Sequence, residues 1–217
     1  VLFRSTNQRG GFMCREVFEN ARVIGLETLE IQLALQCAPV IAGLKISNLL
    51  IIPSSQEEKL YHIFRNSEIS IFRLLWADGK STFLLYHKEM LEAYFMQWEV
   101  RAILKEAGYG NLALDAVLAT FRHRFENCRR NGGEFPHEMG ILLGYPSEDV
   151  AGFIKHKGRD FLYSGYWKVY GNLQEKLKLF HKYETARSTQ VQLLACGVFM
   201  EDIIDIYQQE WQQKAVI

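Results

Sequence analysis

The sequence predicts an α+β fold in one domain, with a small, mostly antiparallel sheet packed against several helices. Three observations lead there. Apolar residues recur at helical spacing over much of the chain, short β-branched and aromatic runs cluster between residues 45 and 86, and no low-complexity linker or internal repeat divides the 217 residues. At 48% hydrophobic and 13% aromatic, the chain can bury a substantial core, which we place over residues 12–212.

Val1-Leu2-Phe3-Arg4-Ser5 resembles the in-frame translation of a common sequencing-adapter oligonucleotide and is set apart from the fold. It lacks the charged start and apolar run of a secretory signal. From Leu26 to Cys37, Leu26, Leu29, Leu33 and Cys37 recur at helical spacing between Glu27, Glu30 and Gln36, which predicts an amphipathic helix ended by Ala38-Pro39. Lys45–Ile52 reads as a buried strand stopped by Pro53, and Ser54-Ser55-Gln56-Glu57-Glu58 opens a helix through Phe64. Ile69–Trp76 and Thr82–Tyr86, joined by Ala77-Asp78-Gly79-Lys80, make a hairpin.

Lys88–Arg130 turns helical, with breaks near Gly108 and Gly110 and a stripe of Leu114, Val117, Leu118, Phe121 and Phe125 that ends at Asn131-Gly132-Gly133. Lys157-Gly158-Arg159-Asp160 is a loop. Phe161–Tyr170 alternates like a strand, with Tyr166, Lys168 and Tyr170 on one face and Trp167 and Val169 on the other. Leu173–Ala186 and Val191–Trp211 close the chain as helices.

Composition excludes several function classes. Twenty-five basic and twenty-five acidic residues cancel, so no whole-chain field draws the protein to nucleic acid or an anionic membrane. Apolar runs such as Asn48–Ile52 fall far below the roughly 20 residues that span a bilayer. Cys14, Cys37, Cys128 and Cys196 are scattered, with no zinc-knuckle or redox spacing; reduced, buried thiols and a cytoplasmic setting are expected.

The stretch EFPHEMGILLGYPSEDVAGFI, Glu134–Ile154, carries the densest chemistry. His137 and Glu138 invite a metal or acid/base site, but a zinc motif needs a second histidine four residues on, where Ile141 stands. The structural alternative has Pro136 opening a helix and Glu138 in its positive first turn. Otherwise His137, whose free pKa lies near neutrality, works with a distant residue such as Cys37, Lys45 or His87. Gly140, Gly144 and Val150, with an apolar face on each side of the turn, also fit a helix-turn-helix. Its recognition helix would offer Ser147, Glu148 and Asp149 to the phosphates, and two acids there disfavour sequence-specific DNA binding. Leu193–Gly197 followed by Ile203-Ile204 imitates the same corner.

Gly108-Tyr109-Gly110 lacks the third glycine of a dinucleotide fingerprint, Gly79-Lys80-Ser81 lacks the upstream glycine of a phosphate loop, and no serine-hydrolase elbow is present. Tyr166, Trp167 and Tyr170 suit either a stacked ligand or core packing. Cys37 suits either a loop thiolate or a buried apolar position.

Pro136-His137-Glu138, Leu143-Gly144-Tyr145-Pro146, Glu148-Asp149-Val150, Gly152-Phe153-Ile154, Lys157-Gly158 and Gly165-Tyr166-Trp167-Lys168-Val169-Tyr170, with Cys37-Ala38-Pro39, Gly43 and Lys45 upstream, resemble a bacterial family, domain of unknown function three-seven-nine-three, found mainly in clostridia and related anaerobes. The resemblance implies a cytoplasmic bacterial protein and brings no activity, substrate, cofactor or partner with it. Ser164 stands where it leads one to expect a cysteine, which puts a cysteine-based site with Cys37 in doubt. Because these motifs gather around polar residue types, the expected site is a pocket near His137. There His137 and Glu138 act as acid/base groups, Lys45 holds an anion, and Cys37, Tyr145, Tyr166 and Lys168 bind the ligand. The alternative is a helix-turn-helix-like binding module for nucleic acid or a protein partner.

Overall fold

Asp78 and Gly79 both take positive φ, 53° and 69°, the turn geometry whose twist matches that of flanking strands. Ile69–Ala77 (β2) therefore folds straight back on Lys80–His87 (β3), and Ser47–Pro53 (β1) pairs antiparallel along the other side of β3. The order is β1-β3-β2, with Leu49 opposite Leu84 and Leu50 opposite Phe83. β3 is buried from Ser81 to His87 because both faces of the sheet are covered. Alternation along the strand sends Phe83 and Leu85 into one apolar cluster, and Leu84 and Tyr86 into another. In this computed structural model the structure describes residues 25, 27–132 and 135–215; Cys14, Leu26, Gly133 and the adapter-like start lie outside them.

The first cluster is completed by Leu29–Ile41 (α1), Glu57–Ile63 (α2) and Met200–Ala215 (α9). α1 is buried on more than one face, with Leu29, Ile31, Leu33, Ala34 and Cys37 all inside, so it is a core helix rather than a surface one. It also runs through Pro39 to Ile41 instead of stopping at Ala38. A proline inside a helix costs about 3 kcal/mol. Pro39 lies in the last turn, and the buried side chains of Pro39, Val40 and Ile41 offset that cost at about 1.5–3 kcal/mol for a fully buried Val or Ile.

The second cluster lies under Lys88–Phe95 (α3), Trp98–Glu106 (α4), Leu114–Asn131 (α5), Met139–Leu142 (α6) and Ser147–Lys155 (α7). The expected stripe on α5 is buried at all five positions, and Gly132 ends that helix. A third cluster joins Trp167 and Val169 to Phe180 and Tyr183 of Leu173–Ala195 (α8).

Several boundaries differ from expectation. Phe161–Tyr170 is a tight hairpin of Tyr163–Ser164 (β4) and Lys168–Val169 (β5), not one strand, because the chain turns at Gly165, whose N–H donates to the Trp167 carbonyl (3.1 Å). The expected faces survive beyond the turn: Trp167 and Val169 are buried. α8 continues unbroken past Ala186, since nothing in Arg187–Gln190 breaks a helix and the buried Gln190 amide donates to the Ala38 carbonyl (3.1 Å). α6 is a single turn, and Pro136 stands three residues ahead of it, accepting the Met139 N–H (3.0 Å). The corner at Gly144, where φ is 65°, is therefore one turn followed by α7 rather than a helix pair.

Among the described residues no helix is long and apolar enough to cross a membrane.

Gly152 sits mid-helix in α7, where a Cβ would lie 2.5 Å from Tyr170 Cγ. Alanine gains about 1 kcal/mol of helix propensity over glycine. Overpacking against a ring root costs about 1–3 kcal/mol. Gly152→Ala is therefore expected to lower the urea midpoint; a rise would show that α7 and the hairpin separate freely.

Candidate functional site

The turn after α1 drives Lys45 inward, because the Pro39 carbonyl accepts the N–H groups of both Leu44 (2.8 Å) and Lys45 (3.1 Å). The buried Lys45 Nζ donates to the Ser47 carbonyl (2.8 Å) and to Asn48 Oδ1 (2.6 Å), and lies 5.2 Å from the centre of the Tyr145 ring. Asn48 Nδ2 turns the other way, to the carbonyls of Gln36 (2.6 Å) and Leu49 (2.9 Å), with Cys37 Sγ at 3.8 Å. These partners of Lys45 include no carboxylate. Loss of hydration lowers the Lys45 ammonium to about 7. Burial also pushes the Cys37 thiol up to about 12, so it stays protonated and behaves as a small apolar side chain.

Tyr145 carries this cluster to the next. Its ring stacks on Trp167 at 5.0 Å and 27°, and burial raises its hydroxyl to about 12. Trp167 Nε1 donates to Asp149 Oδ2 (2.7 Å), while Asp149 Oδ1 accepts the N–H groups of Tyr170 (2.8 Å) and Gly171 (3.3 Å). Lys176 Nζ lies 3.8 Å from Asp149 Oδ2 and bonds Glu148, whose carboxyl it holds below its ordinary value together with Asn172. Of the two acids that a DNA-reading helix would present, Asp149 is thus turned into the protein, while Glu148 stays exposed and is held by Lys176 and Asn172. Tyr166 Oη donates to Glu184 Oε1 (2.8 Å) and accepts from Arg187 (2.9 Å), with burial raising its pKa.

Glu138 sits apart from these groups. Its buried carboxylate accepts from Tyr109 Oη (3.0 Å) and lies 2.8 Å from Arg124 Nε, an internal ion pair rather than a first-turn surface acid. His137 is exposed, its ring 5.8 Å from Phe135 and 5.5 Å from Phe153. Phe153 is shared with Lys168, whose Nζ lies 5.7 Å from that ring and 4.7 Å from Phe161 while donating to the Gly158 carbonyl (2.6 Å). One row of rings and cations therefore runs His137, Phe153, Lys168, Phe161.

The expected residues fall into separate groups. Cys37, Lys45 and Tyr145 meet around Asn48, His137 meets Lys168 through Phe153, and Tyr166 lies with α8. His87, weighed as a partner for His137, is buried with Nε2 2.9 Å from the Val40 carbonyl and its ring 4.2 Å from Trp211. Among the described residues no three His, Cys, Asp or Glu side chains gather where they could hold a metal ion. Sequence reasoning missed Asn48 and Lys176. Lys176 did leave a signal, as a lone lysine within the apolar spacing Leu173, Phe180, Tyr183 of α8.

Two stability measurements test this geometry. Asp149→Ala leaves the Trp167 and Tyr170 donors without their acceptor and takes one of two carboxylates from Lys176, an expected loss of about 3–5 kcal/mol in urea unfolding. For Lys45, the unfolded chain keeps its proton to 10.5 while the folded chain releases it near 7, so its contribution to stability rises with pH across that window. The slope is at most about 1.4 kcal/mol per pH unit. Cys37 acts oppositely between 9.0 and about 12, where only the unfolded chain has lost the thiol proton. Unfolding of wild type and Lys45→Met is therefore best compared between pH 7 and 9, where the wild type should gain on the variant; parallel curves would show that the amine titrates normally.

A family model described as Protein of unknown function (DUF3793) matches residues 33–204. No curated protein and no solved structure matches the chain. The matched span takes in Lys45, the Gly144 corner, the hairpin and the start of α9, and the chain belongs to that family.

Proposed function

We propose that the protein is a binding module for an acidic protein partner, with its working face on the outer side of α7 and the β4–β5 hairpin. The observation that carries this reading is the row from His137 to Phe161 together with the apolar side chains beside it. Leu162 is 58% exposed, Ile154 43% and Tyr163 39%, large apolar side chains left in water on α7 and the hairpin, and exposed apolar groups of this kind mark an interaction surface. Lys155, Lys157 and Arg159 are exposed around it, with Asp160 as the nearby acid, paired to His156 at 3.3 Å. Opposite charge in the partner steers its approach, and the apolar centre supplies residence time. A protein is favoured over a nucleic acid because the exposed aliphatic groups Ile154 and Leu162 have no use for a base or a phosphate, and because α6 is too short to brace a recognition helix. A catalytic role for His137 with Lys45 is less favoured, since Lys45 and Glu138 are buried and already bonded to protein groups. In this reading the module works in a bacterial cytoplasm, where an exposed thiol such as Cys196 stays reduced.

A random glutamate–tyrosine copolymer is a direct probe. It should bind in a salt-sensitive way, more tightly than polyglutamate, and both Leu162→Asp and Lys157→Glu should weaken it by about tenfold, at about 1.4 kcal/mol per factor of ten. A single-stranded DNA oligomer that binds more tightly than either polypeptide, or affinity unchanged in both variants, would overturn the proposal.

A further inference from the structure

We propose a second, independent site: the cleft between β2 and α5 binds a nucleotide, with its phosphate on the arginines and its base on Trp76. The cleft holds about 160 Å³ and is lined by Arg73 and Trp76 of β2, Arg122, Glu126 and Arg130 of α5, and a floor that includes the buried Leu75. The register of β2 against β3 shifts between Arg73 and Leu75, so a bulge stands at this place in the edge strand. Bulges re-aim neighbouring side chains and are frequent beside binding sites.

The guanidiniums keep most of their donors free for a ligand. Each carries five N–H groups. Arg73 gives one to Glu57 (3.1 Å), Arg122 lies 3.5 Å from Glu126, and Arg130 donates to the neutral Trp76 carbonyl (3.3 Å). Arg122 and Arg130 offer planar forks from α5, and Arg73, opposite Phe83 in the register and paired to Glu57 of α2, flanks the cleft from the other side of the edge strand; guanidinium groups bind the oxygens of a phosphate ester with paired hydrogen bonds. Arginines 129 and 130 also suit the negative end of α5, but that helix-end effect explains neither Arg73 nor Arg122.

Two further groups separate a nucleotide from a simple anion. The Trp76 side chain stands at the rim with the residue 59% exposed, a flat apolar surface on which a base can stack. Glu126 places a carboxylate beside the arginines, where it can accept hydrogen bonds from ribose hydroxyls or a base amino group that inorganic phosphate does not offer. A cleft of this volume takes the phosphate and part of the sugar, and leaves the base to lie over the indole.

Titration of the full chain with AMP, adenosine, inorganic phosphate and a single-stranded oligonucleotide, followed by calorimetry and tryptophan fluorescence, tests this. AMP should bind with quenching of Trp76, and adenosine and phosphate should each bind at least about tenfold more weakly. Trp76→Ala and Arg130→Gln alter exposed side chains and should each weaken AMP by about tenfold while circular dichroism stays unchanged, whereas Leu162→Asp, beside the β4–β5 hairpin, should leave AMP binding intact. Absence of AMP binding at millimolar concentration, phosphate binding as tightly as AMP, or an oligonucleotide binding where AMP does not would each overturn the proposal.

Discussion

Asp149 joins three parts of the chain that nothing in their order along the sequence brings together. It belongs to the first turn of α7, takes the indole N–H of Trp167 and two backbone N–H groups after β5, and faces Lys176 of α8. A buried carboxylate is tolerable only when its lone pairs are filled, and here protein donors fill them. In return the carboxylate satisfies the Trp167 N–H, which lets that ring go into the third apolar cluster against Phe180 and Tyr183. The hairpin contributes only two short strands, so its position depends on this anchoring rather than on its own ladder. The same arrangement removes Asp149 from the surface and ties the exposed Glu148 to Lys176, while the far end of α7 and the following loop are basic.

Lys45 performs a related task on the other side of the Gly144 corner. Its ammonium links the turn after α1 to β1 and to the face of Tyr145, and Asn48 extends the link to the end of α1. The Ser47 hydroxyl, one residue from Asn48, donates to the Leu142 carbonyl and fastens α6 to the same strand. Burying an amine without a carboxylate carries a cost, visible in the lowered affinity of Lys45 for its proton. What it secures is a fixed corner, since Tyr145 is held from one side by the cation and from the other by Trp167. The polar members of the family-like motifs are thus largely the internal fastenings of α6, α7 and the hairpin. The surface they position is where recognition is proposed.

Much of the architecture was legible in the residues. The Asp78-Gly79 turn between alternating runs specifies its hairpin locally, through backbone geometry that few other pairs adopt. The stripe from Leu114 to Phe125 specifies a helix and its buried face, because a 3.6-residue period puts those five side chains on one side. Where the prediction failed, a non-local contact outweighed a local preference: Pro39 stays helical because its surroundings bury it, and Phe161–Tyr170 folds back because Gly165 turns against Phe180.

The candidate site was less legible, for the same reason. Residue types marked out His137, Lys45, Tyr145 and Lys168, but a side chain's type does not say which way it faces. Fold class, the hairpin, the α5 stripe and family membership follow from the sequence alone, since each rests on short-range spacing or on a run of motif residues. That Asp149 points inward, that Lys45 meets Tyr145 a hundred residues away, and that His137 lies with Phe153 in water were decided by tertiary structure. These are pairings between distant segments, and their energies depend on burial and on which donors remain unfilled once the chain has closed.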